Sequence, residues 1–218
     1  MKLRIRKIFR PLIFISLVLA SSFPVCAKQI SQLSEQRQAL INCAIELLGT
    51  PYQWGGKTPS PGIDCSGFVA YVSRKAIQVN FTGISQVMYN ATTKIEDNQK
   101  EPGDLLFFSN TYSSNKITHV GIYLGLYTGE GKLHGKHIFI HCASDEPETG
   151  VIVSSIDDEN FWTRHYIGAG RYLPSTKEAE KIIQELGVEK GREALKSSPE
   201  EFSKDPWWSG IDKSWFEK

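Results

Sequence analysis

The chain has 218 residues, 40% of them hydrophobic and 22% charged, which fits one well-cored domain plus an appendage. Residues 1–27 hold five basic residues and no acidic one, so the 191 residues that follow them carry 20 basic against 24 acidic side chains, a net charge of −4. This balance excludes the basic surface of a nucleic-acid-binding protein.

The first 27 residues have the pattern of a secretory signal peptide. Five basic residues precede an apolar stretch from Pro11 to Phe23, and Val25-Cys26-Ala27 offers small residues for cleavage. The apolar stretch is too short for a spanning helix, so we expect an exported protein, periplasmic or extracellular, with no stable membrane insertion after cleavage. A lipid anchor on Cys26 is the weaker alternative, because Phe23-Pro24-Val25 lacks the small residue expected just before a lipidated cysteine.

A packing helix is predicted from about Ser34 to Leu48, where apolar residues recur at helical spacing until Gly49-Thr50-Pro51 ends the run. Cys43 lies within it and is expected in the core. Farther on, residues 81–89 fit either a short helix or an ordered loop.

The stretch from Thr50 to Tyr71, T-P-Y-Q-W-G-G-K-T-P-S-P-G-I-D-C-S-G-F-V-A-Y, contains the most reactive candidate side chain. Its glycines and prolines predict irregular structure up to Asp64, a good N-cap residue, and a helix from Cys65 onward. The free amides and positive dipole end of a helix N-terminus favour a thiolate, which is how a cysteine becomes a nucleophile. The alternative is a buried cysteine that acts as a small hydrophobic residue.

Five apolar stretches of strand length come after the predicted helices. Because helices precede strands at hairpin-like intervals, we predict an α+β fold with N-terminal helices packed on a mostly antiparallel sheet of about five to six strands. The predicted strands are Leu105–Phe108, Val120–Leu124, Ile138–Cys142, Val151–Val153 and Tyr166–Tyr172, and residues 94–100 are predicted to be a polar connection.

Beyond Pro174 the sequence becomes charged and helical, with a capping box at Ser175 and Glu178. Three of the five tryptophans follow at residues 207–215, either packed onto the domain or forming a patch for sugars or partners. The predicted organisation is a signal peptide at 1–27, a catalytic domain at 28–174 and a helical, Trp-rich extension at 175–218. Monomer is the expected state.

A thiol nucleophile needs a base, and the base needs a group that orients it. His119 begins a predicted strand, where its ring can lie at the sheet end facing the helix, and His141 ends the next strand. A simple hairpin, symmetric about the connection between these strands, pairs the two histidines directly and puts them on one face.

A zinc site is the alternative use of the histidines, since His134, His137, His141 and Cys142 lie close in sequence. On a strand, however, His141 and Cys142 point to opposite faces and cannot share an ion without a bulge. We therefore expect no metal and no cofactor.

Five sequence blocks, P-Y-Q-W-G-G, D-C-S-G-F-V, P-G-D-L-L-F-F, T-H-V-G-I-Y-L-G and F-I-H-C-A-S, occur in the order seen in the NlpC family of bacterial cell-wall cysteine peptidases. The chain resembles this family over about residues 33–173. The resemblance implies a papain-like fold in which Cys65 is the nucleophile, His119 the base and His141 the third polar residue. It also implies that Tyr52, Asp64 and Ser66 bind substrate, holding its free amine and lining the scissile amide.

The resemblance further implies that the partner is a peptidoglycan stem peptide, cleaved between γ-D-glutamate and a diamino acid through a thioester. Two alternatives stay open: another papain-like amidase or acyltransferase, and a non-catalytic peptidoglycan-binding module. The chain departs from the family pattern at Cys142, where His-Ala-Ser is common, and in the long insertion Tyr127–Lys136.

Overall fold

The computed structural model describes residues 35–110, 116–144 and 149–173. The predicted signal peptide and the predicted C-terminal extension lie outside the described residues. Within the described part, none of the helices combines the length and the apolar character needed to cross a membrane.

The described residues contain four α-helices, and the second begins where the sequence predicts. Asp64 has extended backbone angles, and its side chain accepts a hydrogen bond from the Gly67 N–H, which makes it the N-cap of the helix that starts at Cys65. The third helix resolves the open question at residues 81–89, and the fourth is absent from the sequence prediction. The helices are α1 (35–45), α2 (Cys65–Ile77), α3 (Ser85–Ala91) and α4 (Phe161–His165).

The main sheet has six strands in the order β3-β8-β4-β5-β6-β7, and all neighbouring pairs are antiparallel. This confirms the predicted α+β class and strand number. Its strands are β3 (Thr93–Ile95), β4 (Leu105–Phe108), β5 (His119–Leu126), β6 (His137–Ala143), β7 (Gly150–Ser155) and β8 (Tyr166–Arg171).

The sequence prediction was wrong at two places. A two-residue hairpin, β1 (Lys57–Thr58) with β2 (Gly62–Ile63), forms inside the Gly/Pro-rich segment predicted to be irregular. The polar stretch predicted as a connection contains β3, which adds an edge strand beside β8. These three strands are only two or three residues long, too short to show the alternating apolar pattern that marks a strand in sequence.

The sheet separates two apolar clusters. The larger lies on the side of α1 and α2, and from β5 it includes Val120, Ile122 and Leu124. The smaller lies on the other face with Phe108, Tyr123 and Phe139, and α4 covers it through Trp162. Side chains alternate between faces along a strand, so odd-numbered β5 residues point away from α2.

The pairing of β5 with β6 contains a one-residue bulge at Leu124. Near the turn the register pairs Gly125 with Ile138, whereas beyond the bulge Tyr123 pairs with Phe139 and Gly121 with His141. The extra residue exchanges the faces, so that the β6 side chains that share a face with a given β5 residue differ on the two sides of the bulge. Gly125 has a φ of 105°, a conformation that favours glycine and supports the bulge.

A buried ion cluster ties α1 to the sheet. The Asp104 side chain is 1% exposed and contacts the guanidinium groups of Arg37 at 3.3 Å and Arg171 at 2.7 Å. Its Oδ2 also accepts the Glu101 N–H at 2.7 Å. The cluster fixes the turn that leads into β4, next to the strand that carries His119.

Candidate active site

The Cys65 thiol lies at the start of α2, against the first residues of β5. Its Sγ is 4.0 Å from the carbonyl oxygen of Thr118, and the backbone N–H of Val120 donates a hydrogen bond to it. Pairing of β5 with β6 ends at Gly121, which leaves this amide to the thiol. The nucleophile candidate therefore contacts the backbone on both sides of His119.

The close approach of the loop to α2 depends on small residues. A Cβ on Gly67 would lie 2.1 Å from the carbonyl oxygen of Gly56, and that oxygen accepts the Asp64 N–H at 3.1 Å. The loop thus rests directly on the first turn of the helix, and any larger side chain at Gly67 forces the two apart.

The expectation of a thiolate at Cys65 was wrong. Burial raises the pKa of the Cys65 thiol to about 11, the charge of Asp64 raises it further, and hydrogen bonds from the Val120 and Ser66 amides lower it by less. Desolvation disfavours a charged sulfur more than the helix N-terminus favours it. The resting side chain is a neutral thiol.

His119 and His141 lie on one face of the sheet, as predicted, and their rings are hydrogen-bonded. Nε2 of His119 is 3.0 Å from Nδ1 of His141. They are not directly opposed as the simple hairpin predicts, because His141 pairs with Gly121 and so lies diagonal to His119. The register near the turn would set His141 opposite Ile122, and the bulge at Leu124 shifts the pairing by one residue to Gly121.

Gly121 is what allows the diagonal contact. A Cβ at this position would lie 2.6 Å from a ring carbon of Phe139 and 2.9 Å from Cβ of His141. The prediction that the two histidines share one strand face is confirmed, whereas the prediction that this face is turned to α2 is wrong. The His119 ring contacts Phe108 and Trp162 on the α4 side of the sheet, while the backbone on either side of His119 contacts the Cys65 thiol at the end of the strand.

Two residues that the sequence did not predict contribute to the site. Nε2 of His141 is 2.9 Å from the hydroxyl of Ser154 on β7. Trp162 on α4 packs against both histidines, tilted against His119 with ring centroids 4.7 Å apart and edge-on to His141 with centroids 4.4 Å apart. Neither residue lies in a recognisable motif. Ser154 is two residues from Ile152, which pairs with His141, so its side chain lies on the same face of the sheet as His141.

Both histidines are neutral in this enclosure. Burial lowers the pKa of His119 to about 3, against a smaller raising effect from the charge of Asp64. Burial also holds the pKa of His141 well below its usual range, and His119 lowers it further. Among the described residues Nδ1 of His119 has no hydrogen-bond partner, so this ring nitrogen is available to accept a proton.

The three predicted substrate-binding residues lie together beside Cys65. Tyr52 is half-buried and forms an isolated bridge with Ile63, the residue before Asp64. Ser66 donates its hydroxyl proton to Oδ1 of Asp64 at 2.8 Å. The ammonium of Lys57 contacts both carboxylate oxygens of Asp64, at 3.3 and 3.0 Å.

The cysteine and histidines of the zinc alternative are dispersed. Cys142 faces the α2 cluster, whereas His141 lies on the other face. His137 contacts the Tyr123 hydroxyl and His134 the Gly129 carbonyl. Within the described ranges, no group of three or more His, Cys, Asp or Glu side chains is arranged to hold a metal ion.

Cys142, the departure from the family pattern, has a structural contact. Its thiol donates to the carbonyl oxygen of Ile63 at 3.0 Å, and burial raises its pKa to about 12. It therefore links β6 to the segment that delivers Cys65 and is far less reactive than an exposed thiol.

Known proteins resemble this chain over the part that holds the site. The chain is 31% identical over 147 residues to the murein DD-endopeptidase MepH of Escherichia coli, covering 66% of this chain and 48% of that one. It is 34% identical over 128 residues to the bifunctional muramidase/DL-endopeptidase CwlT of Bacillus subtilis, covering 59% and 34%. The chain thus spans about half or less of the length of these relatives.

The crystal structure of an NlpC/P60 family protein from Bacillus cereus superposes with a TM-score of 0.52 at 27% identity, covering 63% of this chain and 40% of that one. The sequence profile of the NlpC/P60 family matches residues 49–171, more than half of the chain and all of the site described above. The chain belongs to the NlpC/P60 family.

Proposed function

We propose that the chain is an exported, monomeric cysteine endopeptidase that cleaves the amide between γ-D-glutamate and a diamino acid in peptidoglycan stem peptides. The observation that carries the proposal is the 3.0 Å contact between His119 and His141, beside a thiol held at the start of α2. The names of the two relatives, both murein or DL-endopeptidases, support the substrate class.

The ring contacts restrict the proton positions. Each neutral imidazole carries one N–H. If His141 donates from Nε2 to Ser154, its Nδ1 accepts from Nε2–H of His119, and Nδ1 of His119 is left as a base. The opposite tautomers would put a proton on Nδ1 of His119 and block it. The proposed mechanism therefore has Ser154 accept the hydrogen bond from His141, which holds the reactive tautomer.

The proposed reaction starts from a neutral pair. Nδ1 of His119 takes the thiol proton of Cys65 as Sγ attacks the amide carbonyl, because a thiol with a raised pKa loses its proton only when the new bond forms. Amides of the first turn of α2 stabilise the oxyanion. Nδ1–H then protonates the leaving amine, which departs and leaves a thioester.

Hydrolysis of the thioester repeats the same proton path. Nδ1 of His119 takes a proton from water as the water oxygen attacks the thioester carbonyl, and returns it to the Cys65 sulfur as that bond breaks. The products are a peptide ending in γ-D-glutamate and a fragment with a free diamino acid amine. Tyr52, Asp64 and Ser66 are proposed to line the cleft on the nucleophile side.

The test is turnover of defined peptides with identification of the products by mass. N-acetyl-L-Ala-γ-D-Glu-diaminopimelate should yield N-acetyl-L-Ala-D-Glu, and the Cys65→Ala variant should yield nothing. A second peptide, crosslinked through a D-Ala–diaminopimelate amide, distinguishes DD-endopeptidase from DL-endopeptidase activity, the two activities named for the relatives. Cleavage of the crosslink alone would mean that the chain cleaves the crosslinking amide and not the proposed one. Binding without cleavage of either peptide would favour a binding module.

A further inference from the structure

The Asp64 carboxylate has one oxygen committed to the helix and one directed at a side chain of the neighbouring hairpin. Oδ1 accepts the Gly67 N–H at 2.6 Å and the Ser66 hydroxyl at 2.8 Å. Within the described residues, Oδ2 has one partner, the ammonium of Lys57 at 3.0 Å. The side chain of Asp64 is 12% exposed and that of Lys57 is 55% exposed, so a buried carboxylate is paired with a lysine that reaches it from the solvent side.

The Lys57 ammonium makes the contacts that a ligand amine would make. It reaches both oxygens of Asp64 and also lies 3.2 Å from the Ser66 hydroxyl. A primary ammonium has three N–H donors, and these three acceptors match them. The group comes from β1, on the loop that lies over the start of α2, and not from a substrate.

We propose that Lys57 is an internal substitute for a substrate amine and selects stem peptides whose first residue has an acylated nitrogen. This rests on the proposed function and refines the free-amine site that the resemblance implies at Asp64 and Ser66. A second ammonium would have to compete with Lys57 for Oδ2 and the Ser66 hydroxyl, because the lysine already occupies both acceptors. An amide nitrogen carries no charge and has no need of the carboxylate. Such acylated stem peptides are those still joined to the glycan strand.

A purely structural ion pair is the competing explanation, and its exposure argues against it. Ion pairs with a solvated partner contribute little to stability. Asp64 also keeps its N-cap contact to Gly67 without Lys57, because that hydrogen bond uses Oδ1. Removing the lysine therefore uncovers an acceptor while the helix start keeps its cap.

The experiment compares two peptides that differ only at the first nitrogen, L-Ala-γ-D-Glu-diaminopimelate and its N-acetyl form. The variants are Lys57→Met, Lys57→Gln and the conservative Lys57→Arg. The matched control is Lys75→Met, which removes an exposed lysine ten residues along α2, about 15 Å from the helix start.

We expect the wild-type chain to favour the acetylated peptide in kcat/KM. Lys57→Met and Lys57→Gln should raise kcat/KM for the free amine at least tenfold, mainly through a lower KM, and change the acetylated peptide less than threefold. Lys57→Arg and Lys75→Met should keep the wild-type ratio. An unchanged ratio in the Met and Gln variants, or equal changes on both peptides, would overturn the proposal.

Binding separates this proposal from the proposed function. Calorimetry with Cys65→Ala and Cys65→Ala/Lys57→Met measures Kd for both peptides without turnover. If the active chain cleaves neither peptide, the proposed function fails, whereas a tenfold shift of the Kd ratio toward the free amine still supports the role of Lys57. Absence of binding by either peptide overturns both.

Discussion

Replacing Ser154 with Ala tests the proposed proton path at the point farthest from the nucleophile. The change removes the 2.9 Å contact to Nε2 of His141 and leaves the direct contact between the histidines intact. A neutral hydrogen bond is worth about 0.5–1.5 kcal/mol, which corresponds to about 2- to 13-fold in rate. We expect a fall of this size in kcat for the acetylated stem peptide, with little change in KM, because Ser154 fixes a tautomer and does not touch substrate.

The matched control is Ser155→Ala on the same strand. The Ser155 hydroxyl accepts a backbone N–H from Asp157 at 3.0 Å, and its position on β7 puts it on the other face from His141. This variant loses a similar hydrogen bond, so it should change the free energy of unfolding by a similar amount and leave kcat unchanged. Ser154→Thr keeps a hydroxyl and should recover most of the rate. Equal kcat in Ser154→Ala and wild type, or equal loss in both alanine variants, would refute the role of Ser154.

Three further outcomes are expected. Cys65→Ala should abolish hydrolysis and keep the thermal unfolding midpoint within a few degrees, and measurable turnover by this variant would exclude Cys65 as the nucleophile. Because the pKa of Cys65 is raised to about 11, the fraction of thiolate grows with pH, and the rate of Cys65 alkylation by iodoacetamide should rise about tenfold per pH unit from 7 to 10. A plateau of this rate below pH 8 would indicate that the thiolate is already formed. Asp104→Asn leaves two buried guanidinium groups short of an acceptor and should lower the free energy of unfolding by about 3–5 kcal/mol in a denaturant titration. The control Asp158→Asn, whose ion pair with Lys136 is solvated, should lower it by at most about 1 kcal/mol. Equal losses in the two variants would contradict the buried cluster.

The start of α2 was predictable because its signals are local. An N-cap aspartate, glycines before the helix and apolar spacing after it all act within a few residues of Cys65. The pKa of its thiol was not predictable in the same way. Desolvation depends on what the rest of the chain packs around the sulfur, and local sequence does not contain that information.

In the sheet, too, the local features were predictable and those that depend on neighbouring strands were not. Apolar runs predicted β4 to β8, and the two-residue period put His119 and His141 on one face. The exact register was beyond reach, since the bulge at Leu124 has no marker except Gly125, and glycines recur throughout the region. Ser154 could be recognised only once β7 was aligned beside β6, because a single serine in a strand carries no motif.

The bulge at Leu124 lies between the 127–136 connection and the histidines, and it decides which face of the sheet His141 occupies relative to His119. Without it, the register near the turn would pair His141 with Ile122, a residue on the α2 side, and separate the two imidazoles by the thickness of the sheet. A one-residue change in the 127–136 connection that shifts the register of the hairpin must therefore be matched by the gain or loss of a bulge. Alignments of related hairpins should place an odd gap at position 124 before placing it in the loop, and a grafted hairpin must bring its own bulge to keep the histidines together.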